Sequence, residues 1–270
     1  MNDQAAALRA RMLEREPSWN AGDVPALVVG SGKGGVGKSV LATLLAAALA
    51  RAGRHVLLFD AAQNLGNLHI LLGCSPATGL DAVLRDERPA AELLVPLAER
   101  LWLLPAQSGD ETLHSLAPLD RARLHYRLSA LWERFDAVVV DGGPGVEGTV
   151  RAAALRATRL LAVAMSEPAA LSDAYALIKL VHAQAPALPV DVLVNRCEGD
   201  AEAGETFARL ELACSRFLGF PLGSAGWLPE CADWRRAARV PRALLAIEHD
   251  GIARLAAGLV PVRREGACRD

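Results

Sequence analysis

The sequence predicts an α/β fold, a doubly wound and mostly parallel sheet flanked by helices. Three observations lead there. Short apolar runs alternate with helical stretches along the chain, as strand–helix–strand units require. The runs at 55–60 (HVLLFD) and 137–141 (AVVVD) are almost continuously apolar, the pattern of strands covered on both faces, and each ends in an aspartate, Asp60 and Asp141. Between an apolar run at 26–29 and a second at 40–50 lies a glycine-rich turn, residues 32–39.

Taken in order, residues 3–14 predict a short helix with Asp3 as N-cap and a thin apolar stripe of Ala7, Leu8 and Met12. Pro17, Asn20 and Gly22 make 16–23 a linker, so this helix stands outside the core. The division expected is 1–23 as a partner-directed segment, 24–260 as the main domain and 261–270 as a polar tail. Residues 80–94 predict short helices broken at Pro89, and 101–105 a strand. Pro118 opens a helix to Arg134 with Leu119, Leu124, Leu128 and Leu131 on its apolar positions. Strands follow at 160–164, 190–195 and 224–228. Between them lie an amphipathic helix carrying Leu171, Ala174, Leu177, Ile178 and Val181 and a helix at 201–218. Residues 244–260 predict a final helix with apolar Leu245, Ile252, Leu255 and Leu259.

The turn Gly32-Lys33-Gly34-Gly35-Val36-Gly37-Lys38-Ser39 matches Gly-x-x-x-x-Gly-Lys-Ser in full and sits between a strand and a helix, the context of a phosphate-binding P-loop. Glycines let the backbone wrap an anion, and successive N–H groups with the helix N-terminus point at it. The expected nucleotide contacts are Gly34, Gly35, Val36, Gly37, Lys38, Ser39 and Val40. Lys38 is expected between the outer phosphates of ATP, and the Ser39 hydroxyl on Mg²⁺.

The bulk composition bounds the rest. The chain has 270 residues, 52% of them hydrophobic, enough for one compact domain. A net charge of −2 argues against a strong electrostatic nucleic-acid partner. Five scattered cysteines without a Cys-x-x-Cys pair read as a reduced, cytoplasmic protein with neither a disulfide frame nor an iron–sulfur site. The first residues are polar and do not form a signal peptide. The longest nearly apolar run, 40–50, falls well short of the ~20 residues a bilayer span needs.

Lys33, just after the first glycine, makes the loop resemble the deviant Walker A box of the MinD/ParA ATPases. There the signature lysine reaches across a dimer interface to the partner's ATP. The resemblance implies a P-loop NTPase fold, a homodimer in the ATP state and catalytic roles for Lys33, Lys38 and Asp60. It places Asp60-Ala61-Ala62-Gln63-Asn64-Leu65-Gly66-Asn67 at switch I and Asp141 at the Walker B and switch II position, with Gly142-Gly143-Pro144-Gly145 as the moving turn. Mg²⁺ is then expected near Ser39, Asp60 and Asp141. Asn195 would hydrogen-bond the adenine, and Pro229 would lie near the base, although Cys231 stands where an acidic residue is common. Ala62 replaces the usual second aspartate of switch I. Such a carboxylate typically contributes ~10²–10⁴-fold to proton transfer or water positioning, so slow or partner-dependent hydrolysis is expected, with Gln63 as a substitute group.

Two further stretches resemble the FlhG (FleN) flagellar number regulators within that family. One is Asp3-Gln4-Ala5-Ala6-Ala7-Leu8-Arg9; the other is Glu167-Pro168 followed by Asp173-Ala174-Tyr175-Ala176-Leu177-Ile178-Lys179. The first implies that Asp3, Gln4, Leu8 and Arg9 engage and activate the signal-recognition-type GTPase FlhF. The resemblance also implies flagellar switch or regulator proteins as candidate partners and peripheral contact with the inner membrane or a cell pole. For the final helix, core packing is favoured over a membrane anchor because Glu248 and Asp250 share its polar face. The basic stretch 234–242 reads as a solvated helix face ahead of a nucleic-acid or lipid contact. A partitioning ATPase and a pseudo-ATPase scaffold remain open. A tyrosine kinase, with only Tyr126 and Tyr175 present, and an iron–sulfur carrier do not fit.

Overall fold

The computed structural model describes residues 24–61, 68–75, 79–105, 118–143, 146, 149, 150, 153 and 157–261. The N-terminal helix with Asp3, Gln4, Leu8 and Arg9 falls outside them. So do Ala62, Gln63 and Asn67 of switch I, Pro144 and Gly145 after Asp141, and the tail from 262.

The elements in chain order are β1 (Ala26–Gly30), α1 (Lys38–Arg51), β2 (Val56–Asp60), α2 (Leu68–Leu71), α3 (Leu80–Leu84) and, after a 3₁₀ turn at Ala90–Leu93, β3 (Val95–Ala98) and β4 (Leu101–Leu104). Then come α4 (Pro118–Trp132), β5 (Ala137–Asp141), β6 (Arg159–Ala164), α5 (Pro168–Gln184), β7 (Val190–Asn195), α6 (Asp200–Leu218) and β8 (Gly223–Leu228). The described chain closes with α7 (Ala232–Ala237), a 3₁₀ turn at Ala243–Ala246 and α8 (Asp250–Leu259). The eight strands form one sheet in the order β3-β4-β2-β5-β1-β6-β7-β8, parallel at every pairing except β3 with β4.

The predicted fold class is the observed one. β1 is central, with β5 on one side and β6 on the other. Its carboxyl end is the point where the chain's winding reverses, and open α/β sheets bind ligands in the crevice at such a point. One apolar layer, around Phe59, Val140, Leu160 and Leu177, lies between the sheet and helices α4, α5 and α6; the other, around Leu45, Leu58, Val139 and Ile252, lies between the sheet and helices α1 and α8. Helix α1 is apolar nearly all round because it is covered on both sides, by the sheet and by α8.

Two expectations change. Residues 95–98 form an antiparallel edge strand that the sequence reading did not contain. Pro96 breaks its ladder and shifts the register, which only an edge position tolerates. The final helix is not continuous from 244. A 3₁₀ turn and an extended Ile247 precede α8, which begins where the His249 Nδ1 accepts from the N–H of Ile252. Core packing of α8 follows from Ile252, Ala256 and Leu259, all buried. Arg51 donates to the carbonyls of Leu245 (2.9 Å) and Ile247 (2.6 Å), and Arg54 to that of Val260 (2.6 Å), so the end of α1 holds both ends of the C-terminal segment. No described helix is long and apolar enough to cross a membrane.

Truncation of a buried aliphatic side chain loses transfer energy and leaves a cavity. Ile252→Ala is therefore expected to lower the urea unfolding free energy by about 2–5 kcal/mol, while the exposed Arg254→Ala changes it by less than about 0.5 kcal/mol. Equal effects of the two would show that α8 does not belong to the core.

Candidate functional site

The site grows from the carboxyl end of β1. Gly30 and Ser31 end the strand, and the Ser31 hydroxyl donates to the carbonyl of Lys33 (2.5 Å), closing the first turn of the loop. Gly32 packs against α5: a Cβ there would lie 1.9 Å from the Asp173 carbonyl oxygen, so no other residue fits. Gly37 N-caps α1 at φ +97°, a left-handed conformation that suits glycine, and a Cβ would lie 2.9 Å from the Asn195 Nδ2. A Cβ at Gly34 or Gly35 meets nothing within 4 Å, so the backbone there faces open space that an anion can approach.

Lys38 and Ser39 open α1. Lys38 is only 6% exposed. Burial holds its ammonium below the usual lysine range, and the Asp141 carboxylate opposes that shift. Asp141 ends β5 and is 1% exposed. Burial pushes its carboxyl above the ordinary aspartate range, against the Ser39 hydroxyl, the Lys38 ammonium and the N–H of Gly143. Asp60 ends β2 directly opposite Asp141 in the parallel register and is fully buried. Its Oδ2 accepts from the N–H of Leu68 (3.2 Å), tying the start of α2 to the sheet. Parallel register thus puts two carboxylates side by side, with the Ser39 hydroxyl bonded to one of them and the Lys38 ammonium close enough to act on it through its charge. Lys33 is exposed, and its carbonyl also takes a long contact from the Lys38 ammonium (3.4 Å).

Beside the loop lies a cleft of about 310 Å³. Gly35, Gly37, Lys38, Ser39, Val40, Asn195 and Pro229, all expected nucleotide contacts, line it together. Gly34 is exposed and Val36 buried, so these two border the loop without lining the cleft. The Asn195 amide donates to the Val36 carbonyl (2.8 Å), which fixes the side chain against the loop and fixes which of its groups remain for a ligand. The sequence reading put Cys231 near the base but missed the rest of the cleft's far wall: Glu230, Trp234, Arg235 and Ala238, in α7 and beside it. Within the stretch read as a basic helix face, Trp234 is buried, and its ring meets His249 edge-on at 5.2 Å. Arg235 pairs with Glu230 and Arg236 with Asp233, so much of the local positive charge is neutralised. A lone tryptophan within an arginine-rich helix was the available signal.

The donor set suits a metal–nucleotide pair. Among the described residues no group of three or more His, Cys, Asp or Glu could hold an ion alone. Mg²⁺, however, is usually held by one or two protein groups together with substrate phosphates, and the Ser39 hydroxyl beside the Asp141 carboxylate supplies such a pair. A phosphate-cradling turn at the switch point of a parallel sheet, with a buried lysine and a paired hydroxyl and carboxylate behind it, defines a P-loop nucleotide-binding protein.

Comparison with known proteins agrees. Residues 27–238 match the CobQ/CobB/MinD/ParA nucleotide binding domain. The antiactivator FleN of Pseudomonas aeruginosa is 34% identical over 221 residues, covering 82% of this chain and 79% of that protein. The flagellum site-determining protein YlxH of Helicobacter pylori is 31% identical over 183 residues, covering 67% and 62%. The MinC:MinD cell division protein complex of Aquifex aeolicus contains a chain that superposes with a TM-score of 0.67 at 26% identity, over 90% of this chain and all of that one. The chain belongs to the CobQ/CobB/MinD/ParA family of nucleotide-binding ATPase domains, in its FlhG (FleN) branch.

The buried charges fix how the nucleotide-free protein responds to pH. Asp141 holds its proton more tightly folded than unfolded. Stability therefore falls as pH rises from the ordinary aspartate pKa of 3.8 through the raised folded value. Lys38 has the opposite sign: stability rises with pH between its lowered folded value and 10.5. Urea unfolding of the nucleotide-free chain across pH 4–7 is expected to show the first slope, and Asp141→Asn to flatten it. A slope unchanged in Asp141→Asn would assign it to another group.

Proposed function

We propose that this chain is an ATP-driven dimeric switch that regulates the number or placement of flagella, with its N-terminal segment acting on the GTPase FlhF. The observation that carries the reading is the meeting of Lys38, Ser39 and Asp141 at the open mouth of the loop, in a chain related to FleN and YlxH. Gly34, Gly35, Gly37 and Lys38 hold the phosphates. Ser39 and Asp141 would hold Mg²⁺, with Asp60 alongside. Bound Mg²⁺ neutralises phosphate charge and orients the transferring group. Asn195 and Pro229 hold the adenine, and the cleft beside the loop has room for a base. The exposed Lys33 reaches the nucleotide of a second copy and makes the dimer depend on ATP. Hydrolysis is slow because Ala62 has no polar side-chain atom to orient water. The protein works in the cytoplasm, peripherally at the inner membrane or pole when bound to partners.

A second reading, a nucleotide-binding scaffold without turnover, rests on the same Ala62. Phosphate release from Mg-ATP separates the two. Ala62→Asp is expected to raise the rate by about 10²-fold or more, within the range that a positioned carboxylate contributes. No gain would mean that the slow step lies elsewhere, and no turnover in either protein with partners present would favour the scaffold.

The partner assignment has its own test. A peptide of residues 1–20 is expected to stimulate GTP hydrolysis by FlhF from the same cell severalfold, and Arg9→Ala in the peptide to remove the effect. An inert wild-type peptide would leave the ATP switch without its proposed target.

A further inference from the structure

Two unusual backbone conformations meet just outside the nucleotide cleft. Gly73 sits at φ +61° after α2, and Arg242 at φ +63° after α7. For arginine this left-handed conformation is strained, and such strain persists only where the surroundings impose it. Here they do. The Arg242 N–H donates to the Leu71 carbonyl (3.3 Å), and its guanidinium Nε to the Leu72 carbonyl (3.2 Å). A Cβ on Gly73 would lie 2.7 Å from the Pro241 Cβ, so Gly73 packs against the proline ring with no room for a side chain.

Each side of this clamp leads back to the cleft. On one side Leu68 donates to the Asp60 carboxylate, and Leu68 and Leu72 are fully buried, so α2 is pinned to the sheet end where the phosphate-side carboxylates stand. On the other side the chain from Cys231 to Ile247 is a run of helical turns linked by successive backbone hydrogen bonds, among them Ala238 to Trp234, Val240 to Ala237, Ala243 to Val240 and Leu245 to Arg242. That run carries Cys231, Trp234, Arg235 and Ala238, the wall of the cleft opposite the loop.

We propose that Arg242 is a positioning residue that couples the phosphate end of the nucleotide site to its base end. A shift of α2 when the outer phosphate is bound or lost is carried through Leu71 and Leu72 to Arg242, and by the stiff run to the α7 wall. The wall then grips a triphosphate nucleotide differently from a diphosphate, although it touches neither phosphate. Arg51, holding Leu245 and Ile247 on α1, supplies the fixed point against which the wall moves. The proposal rests on the ATP-switch reading above.

The test is calorimetric binding of Mg-ADP and of the non-hydrolysable Mg-AMP-PNP to the whole chain, wild type against Arg242→Gly. Glycine adopts the left-handed conformation without strain and keeps the N–H to Leu71, so the variant loses only the guanidinium clamp. The ratio of the two dissociation constants is expected to move about threefold or more toward one, the scale on which mutations along a coupled path act, while the urea midpoint stays near that of the wild type. Arg242→Lys, which keeps a donor for Leu72, is expected to retain most of the wild-type ratio. Gly73→Ala opens the same contact from the other side, so its effect on the ratio and that of Arg242→Gly should be non-additive in the double variant. If Gly73→Ala does not fold, Arg242→Gly and Arg242→Lys decide alone. A ratio unchanged in Arg242→Gly, or already one in the wild type, overturns the coupling and leaves the ATP reading intact. No binding of either nucleotide to the wild type overturns both.

Discussion

The rest of the structure depends on charge held in a dry place. Lys38 and Asp141 stand almost without solvent at the ends of α1 and β5, and burial pushes each toward its neutral form while their mutual attraction resists. Burying a charge is tolerated only where it is paired and hydrogen-bonded, and even then the pair adds little to stability. A fold that kept such a pair for stability alone would do better with apolar side chains. The arrangement makes sense as a socket: the lysine awaits a polyanion, and the carboxylate with the Ser39 hydroxyl awaits a cation. Electrostatic interactions in such a site are stronger than in water because the dipoles are already oriented.

The sheet makes this socket possible. A parallel sheet covered on both faces brings all its central strands to one edge at the same level, so Asp60 and Asp141 are neighbours by register rather than by any contact of their own. Winding reversal at β1 leaves a gap there, and the glycines of the loop fill it with backbone. Gly32 lets α5 approach, and Gly37 lets Asn195 approach and bond to the Val36 carbonyl. Helices from both layers thus meet at the loop. At the strand–helix turn an anion can reach aligned N–H groups without breaking the apolar layers.

Most of this was legible from residue order. The strand ends at Asp60, Asp141 and Asn195 were visible because buried parallel strands are continuously apolar and stop abruptly at a polar residue. The loop was visible because its glycine and lysine spacing has a single physical use. The far wall of the cleft was not. Trp234 and Arg235 lie in a short helix whose composition says only that it is basic, and local sequence does not record that Glu230 and Asp233 neutralise it. The edge strand at Val95–Ala98 was hidden by Pro96, which weakens a strand pattern without forbidding an edge. The break before α8 was hidden because Leu244 and Leu245 keep the apolar content of a helix while His249 supplies a cap only once folded.

The C-terminal segment shows why such features matter to function. It could have been an appendage with a lipid-facing side. Instead Arg51 and Arg54, at the end of the helix that the P-loop begins, hold its carbonyls, and its apolar face closes the core over that same helix. The nucleotide loop and the C-terminal segment therefore meet the same helix at its two ends, and α1, apolar nearly all round, is closely packed between the sheet and α8. Movement at the phosphate end therefore finds little free space around α1. On the proposed coupling it passes instead through α2 to the α7 wall, the two parts that the contact at Gly73 and Arg242 joins.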